Sequence, residues 1–300
     1  MDASRKPILG LTAADFEGKF HGQPVKILSV APDSRPRRIV ILLDSSASMR
    51  GEHGNYEWQM ARAMAEHIAL EGLPNTQVAL LLFSNNVTEQ VDFTQGRKAV
   101  AERLEQIGMQ RDFVKTSVRG QTALLDSILS ALHLLETPTS ADLIYAITDG
   151  EDNRSHAKIK DVERALEVAG VRFYASLFST GFAGPGVRVS RLPGITSPEE
   201  IAEIARATGG GTLGLIGMTP SGYVNYQLSD EQKREFSDAL QRLYLAMIQN
   251  YRVEVQLPEP VKKWPDWTLR LSNEKRKRFK DAQVGYPLIL APCAAPVAQD

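Results

Sequence analysis

A single cysteine, Cys293, stands in a chain of 300 residues, so no disulfide can form within the molecule and no CxxC redox or metal pair exists. None of the five histidines forms a zinc-type pair such as HExxH. Neither sign of charge dominates. The 35 lysines and arginines meet 36 acids, and a net charge of −1 gives the chain as a whole no footprint for nucleic acid or an anionic membrane. No apolar run approaches the roughly 18 to 20 residues that cross a bilayer. No signal peptide is present either: the opening MDASRK leads directly into structured-looking sequence, which fits a cytoplasmic protein or a mature chain whose export signal has been removed. What remains is the composition of a soluble globular protein, long enough for one large or two ordinary domains.

The informative stretch is residues 38–49, RIVILLDSSASM. Ile39, Val40, Ile41, Leu42 and Leu43 show no polar alternation, which predicts a central parallel strand covered on both faces. Its C-terminal end is where open α/β sheets place ligands, and there stand Asp44, Ser46 and Ser48 in a DxSxS pattern. One carboxylate and two hydroxyls are hard oxygen donors, suited to magnesium or manganese rather than zinc or copper. Two further segments add to them. Residues 120–126, GQTALLD, place Thr122 just before a helical pattern, and residues 146–150, AITDG, place Asp149 at the end of another apolar strand. Each piece alone reads as ordinary turn or N-cap chemistry. Their conjunction, in this order and behind two hydrophobic strands, carries the inference.

The DxSxS, GxTxL and TDG pieces together resemble the von Willebrand factor A domain with its metal-ion-dependent adhesion site. The resemblance implies that Ser46, Ser48 and Thr122 bind a divalent cation, Mg2+ or else Mn2+ or Ca2+, directly or through water. It implies that Asp44 and Asp149 act through water and that a partner's aspartate or glutamate completes the octahedron. Ala47 stands where many relatives have glycine, a change of little consequence for ligation.

Along the rest of the chain, strand and helix alternate. Helical spacing covers residues 56–70, 99–107, 124–135, 159–169, 201–207 and 230–249; buried-strand patterns cover 78–83, 143–147, 171–178 and 211–216. The alternation predicts an α/β fold with a doubly wound, mostly parallel, Rossmann-like sheet over residues 35–249. Before it, residues 16–20 and 25–30 read as a hairpin within an N-terminal β segment, 1–34. After it, residues 250–300 change texture, with strand patterns at 251–257, 268–271 and 284–290. The two flanking segments are expected to meet as one small β-sandwich, with the α/β region inserted between its halves. A GLTxxDF phrase at residues 10–16 resembles the opening of bacterial proteins related to the same family. This implies an extracytoplasmic protein, secreted or periplasmic, with the cytoplasm as the alternative.

Other signals have plainer readings. Residues 151–153, Glu-Asp-Asn, read as a solvated loop beside the site, and His53 and Tyr56 as its rim; His67 and His133 fall inside helical patterns. Gly181, Gly184 and Gly186 run as GxxGxG with Pro185 between them, the wrong order for a nucleotide loop. The basic run 274–280 reads as a solvated hairpin tip, and Trp264 and Trp267 as sandwich residues.

The expected function is therefore a non-enzymatic, cation-dependent protein-binding module. The rival is a metal-dependent hydrolase such as a phosphatase with Asp44 as nucleophile. In the haloacid-dehalogenase pattern DxDx[TV] an acid would be needed where Ser46 stands, and no GxSxG elbow surrounds either serine.

Overall fold

The computed structural model describes residues 7–50, 56–71, 75–110, 112–178, 196–214, 230–261, 267–280, 282–288 and 290. In chain order these residues form β1 (Phe16–Phe20), β2 (Gln23–Pro24), β3 (Lys26–Pro32), β4 (Arg37–Asp44), α1 (Tyr56–Leu70), β5 (Thr76–Phe83) and β6 (Val87–Val91). There follow α2 (Gly96–Met109), α3 (Phe113–Thr116), α4 (Leu124–Leu134), β7 (Leu143–Thr148), α5 (Ile159–Ala169) and β8 (Arg172–Leu177). The last are α6 (Pro198–Ala207), β9 (Gly211–Gly214), α7 (Asp230–Ile248), β10 (Tyr251–Gln256), β11 (Trp267–Leu271) and α8 (Asn273–Arg278).

The α/β expectation is met by a six-stranded sheet in the order β6-β5-β4-β7-β8-β9, parallel except at the β6 edge. The unbroken apolar run of β4 is explained by helices on both faces. Ile39, Ile41 and Leu43 pack toward α1, α2 and α7, through residues such as Met64, Leu104 and Met247. Val40 and Leu42 pack toward α4, α5 and α6, through Ile128, Leu166 and Ile204. All five β4 residues have no exposed surface.

N- and C-terminal segments pair with each other. β1 lies antiparallel to β11, with Phe16 opposite Leu271 and Phe20 opposite Trp267, while β3 lies antiparallel to β10. The alternate residues Trp267, Leu269 and Leu271 turn inward onto Phe16 and Phe20, and Ile27 and Val30 of the second small sheet join the same apolar cluster. This unit is fastened to the N-terminal ends of the parallel strands. Arg37, 6 % exposed, donates through Nη1 to the Ile248 carbonyl at 2.5 Å and through Nη2 to that of Asp33, so one guanidinium closes the C-terminus of α7 against the entry to β4. Trp267 Nε1 donates to the Pro287 carbonyl, and the Leu288 N–H to that of Ala207. The opposite end of the sheet is left to the loops that follow β4 and β7.

Two expectations are corrected, and one strand was not foreseen. Described residues between 284 and 290 are not a strand but an irregular stretch with one bridge, Thr208 to Pro287. Pro287 cannot donate to a ladder. The basic run is no hairpin tip: Ser272 accepts from the Lys275 N–H and starts α8, whose glutamate, lysine and arginine residues are good helix formers. Strand β6 has too short and too polar a pattern to be found from sequence, VTEQV. Residues 181–186, Trp264 and His53 lie outside the described residues.

Candidate metal centre

Strand β4 is followed by α1 and then β5 on one side, whereas β7, reached through α4, lies on its other side. The strand order therefore reverses between β4 and β7, the crevice where open α/β sheets accept ligands. Asp44 ends β4 and Asp149 follows β7, so two carboxylates from distant sequence flank this switch point.

Local hydrogen bonds hold the serine loop in place. Asp44 Oδ1 accepts from the Ser46 N–H at 2.8 Å, an Asx-type turn, and Oδ2 accepts from the Thr148 hydroxyl at 2.6 Å. The Ser46 and Ser48 hydroxyls lie 3.0 Å apart, and that of Ser48 also bonds Asp149. The Ser45 N–H and hydroxyl both donate to the Phe83 carbonyl. The Ala47 N–H donates to the carbonyl of Gly120, and the Arg119 N–H to that of Ser45. Gly120 sits at φ +94°, and a Cβ there would come within 2.6 Å of Asn85 Oδ1, which the Gln121 N–H uses as acceptor. The second loop thus crosses directly beneath the first.

Thr122, 2 % exposed, is brought in from the other direction. Its N–H donates to Asn153 Oδ1 at 2.9 Å, and its carbonyl accepts from the N–H groups of Asn153 and Arg154, each at 3.1 Å. Asp44, Ser46, Ser48 and Asp149 are thus joined by direct contacts, and Thr122 is tied to them through the backbone of the loop that follows Asp149.

In that loop Glu151 and Asn153 are exposed, as expected, but the acid between them is not. Asp152 is 4 % exposed and accepts from the Leu125 N–H at 2.8 Å, the Ser155 hydroxyl at 2.6 Å and the Ser155 N–H at 3.0 Å. It caps the first turn of α4 from 27 residues away, a role local spacing could not reveal. Asp152→Ala is expected to cost about 2–4 kcal/mol, because a buried helix amide and a half-buried hydroxyl lose their acceptor together. Denaturant unfolding measures this, and a loss below about 0.5 kcal/mol, the range of a neutral surface substitution, would contradict it.

The electrostatics are unfavourable without a cation. Burial pushes the Asp44 carboxyl up to about 7, helped by the negative charge of Asp149 and only partly opposed by the Thr148 and Ser46 hydrogen bonds. Burial also raises Asp149, against the Ser48 hydroxyl and the Glu151 N–H, and burial and Asp149 together raise Glu151. Among the described residues no ammonium or guanidinium pairs with Asp44 or Asp149. Nor do the described residues gather three or more of His, Cys, Asp and Glu into one cluster. Two buried carboxylates among neutral hydroxyls are a donor set for a hard divalent cation, which would supply the missing positive charge. Among the described residues no histidine hydrogen-bonds to Ser46 or Ser48.

Residues 39–151 match the von Willebrand factor type A domain model. The A-domain match spans Asp44 through Asp149 and so takes in all five positions. No curated protein matches the chain. Among solved structures the chain is similar to the conserved hypothetical protein BatB from Bacteroides thetaiotaomicron, at 17 % identity and TM-score 0.46 over 69 % of this chain and 98 % of that one. It is similar to an aerotolerance-related membrane protein from Bacteroides fragilis at 16 % identity and TM-score 0.45, over 70 % and 98 %. A von Willebrand factor type A protein from Catenulispora acidiphila aligns at 16 % identity and TM-score 0.45, over 79 % and 51 %. Among the described residues no helix is long and apolar enough to cross a membrane.

Proposed function

We propose that the A-domain region is a non-enzymatic protein-binding module whose loops hold a divalent cation, Mg2+ or else Mn2+ or Ca2+, through Ser46, Ser48, Thr122, Asp44 and Asp149. One observation carries the reading: two carboxylates are buried together at the switch point, with hydroxyls and, among the described residues, no basic side chain to offset their charge. A bound cation would supply positive charge toward an incoming aspartate or glutamate of a partner protein. The chain's own residues do the rest. Asp44, held by Thr148 and the Ser46 N–H, and Asp149, held by Ser48 and the Glu151 N–H, fix the negative end of the site. Asn153 sets the height of Thr122. The hydroxyl ligands carry no charge, so the site keeps affinity for a partner's carboxylate. The small paired sheets at the far end of the fold leave these loops free to meet a partner, and we take residues 35–249 as a domain inserted between their halves. The proposed setting is extracytoplasmic, on the resemblance of residues 10–16 to the opening of bacterial A-domain proteins.

Calorimetric titration of magnesium and manganese into chelator-treated protein tests the reading, with Thr122→Ala alongside. Saturable binding, weakened at least about tenfold in the variant and strengthened by a peptide containing one aspartate, is expected. Equal affinity in the variant would refute the ligand set.

A further inference from the structure

Two of the residues that tie the site's loops together are exposed arginines. The Arg119 N–H donates to the carbonyl of Ser45 at 2.9 Å, and the Arg154 N–H donates to that of Thr122 at 3.1 Å. Each arginine is thus one backbone hydrogen bond from a loop that bears proposed ligands, and the two stand on different loops. Both side chains are exposed, and among the described residues neither guanidinium has an ion-pair partner. Lys115, 82 % exposed and only loosely paired with Asp112 at 3.8 Å, stands four residues before Arg119. Glu151, exposed beside Asp149, shares a loop with Arg154, so the site's surroundings carry charge of both signs. The whole chain carries a net charge of −1, so these exposed cations beside the ligand-bearing loops are a local feature.

We infer that the partner presents not an isolated carboxylate but an acidic cluster, one acid for the cation and flanking acids for Arg119 and Arg154. This rests on the metal-site reading above. Guanidinium groups suit the task because their planar N–H pairs match carboxylate oxygens and stay charged at any working pH. Exposed pairs contribute modestly one by one, so the effect is selectivity and salt dependence rather than the bulk of the affinity.

The test compares two synthetic peptides on the full chain loaded with magnesium, one with a single aspartate among glycine and serine and one with five consecutive acids. The proteins are unsubstituted, Arg119→Ala/Arg154→Ala, Arg119→Glu/Arg154→Glu, and Lys277→Glu at the far end of the fold as a control. Magnesium affinity is measured first on each without peptide. We expect the five-acid peptide to bind about tenfold tighter than the single-acid one at low salt, with the margin falling about threefold in the double alanine variant and lost in the charge reversal. The margin should also shrink as sodium chloride rises, while Lys277→Glu leaves it unchanged. If magnesium binds and the single-acid peptide binds, but the margin is the same in all four proteins, the acidic-cluster inference fails and the metal site stands. If magnesium does not bind the unsubstituted protein, the metal-site reading fails first and takes this inference with it.

Discussion

Asp149→Asn is expected to abolish saturable magnesium binding and at the same time to stabilise the metal-free protein at pH 8 by about 1–3 kcal/mol. The two effects have one cause. In the absence of a cation, Asp44 and Asp149 are buried together and repel each other, and Asp44 is held up to about 7 against an ordinary value of 3.8. A carboxyl raised in the folded state binds more protons folded than unfolded between those two values. The stability of the metal-free protein therefore falls as the pH rises from about 4 to about 7, and levels off above the folded value. The amide keeps an oxygen for the Glu151 N–H and the Ser48 hydroxyl but removes the charge, so Asp44 ionises more easily and the pH-dependent loss shrinks. Thermal unfolding at pH 4.5 and pH 8 with chelator present, on both proteins, measures it. A variant less stable than the parent at pH 8, or one that binds magnesium as well as the parent, would show that the carboxylate pair is not strained in this way.

Gly210→Ala should be the most damaging small substitution in the sheet, costing at least about 3 kcal/mol, which for an α/β region of this size lowers the melting temperature by roughly 6–12 °C. Gly210 joins α6 to β9, and a Cβ there would lie 1.8 Å from the Phe173 carbonyl oxygen and 2.7 Å from its carbon. Both parties are backbone, so no rotamer change relieves the clash. Phe173 has no exposed surface, and its N–H donates to the Thr208 hydroxyl, so moving β8 away would cost that bond and core packing as well. Gly285→Ala is the control, since its nearest contact would be 3.6 Å away. Denaturant midpoints for the two variants should differ clearly; equal midpoints would mean that β9 can shift without penalty.

The sheet and the proposed ligands were both legible in the chain, because both depend on short-range patterns. A run such as Ile39–Leu43 has to be buried on two faces, and oxygen donors at its end have to sit on the loop above it. A strand pattern likewise marked residues 268–271, where β11 buries Trp267, Leu269 and Leu271 on one face. By contrast, strand β6 was invisible, since five half-polar residues at a sheet edge carry too little pattern. The basic run before Phe279 was misread because its charge hid a capped helix, and residues 284–290 because an apolar run with a proline can be held by single bonds without joining a ladder.

Residue order alone therefore determined which strands are central, which ends of them bear oxygen donors, and that the chain holds no intramolecular disulfide, CxxC pair or HExxH motif. Tertiary structure alone decided how those donors are held. Asp152 reaches back to cap α4, Asn153 grips Thr122, and Arg119 and Arg154 are tied to the ligand-bearing loops, through bonds between residues 27 to 74 positions apart. Such contacts leave no periodic trace, because each is set by where two loops cross rather than by how either is spelled.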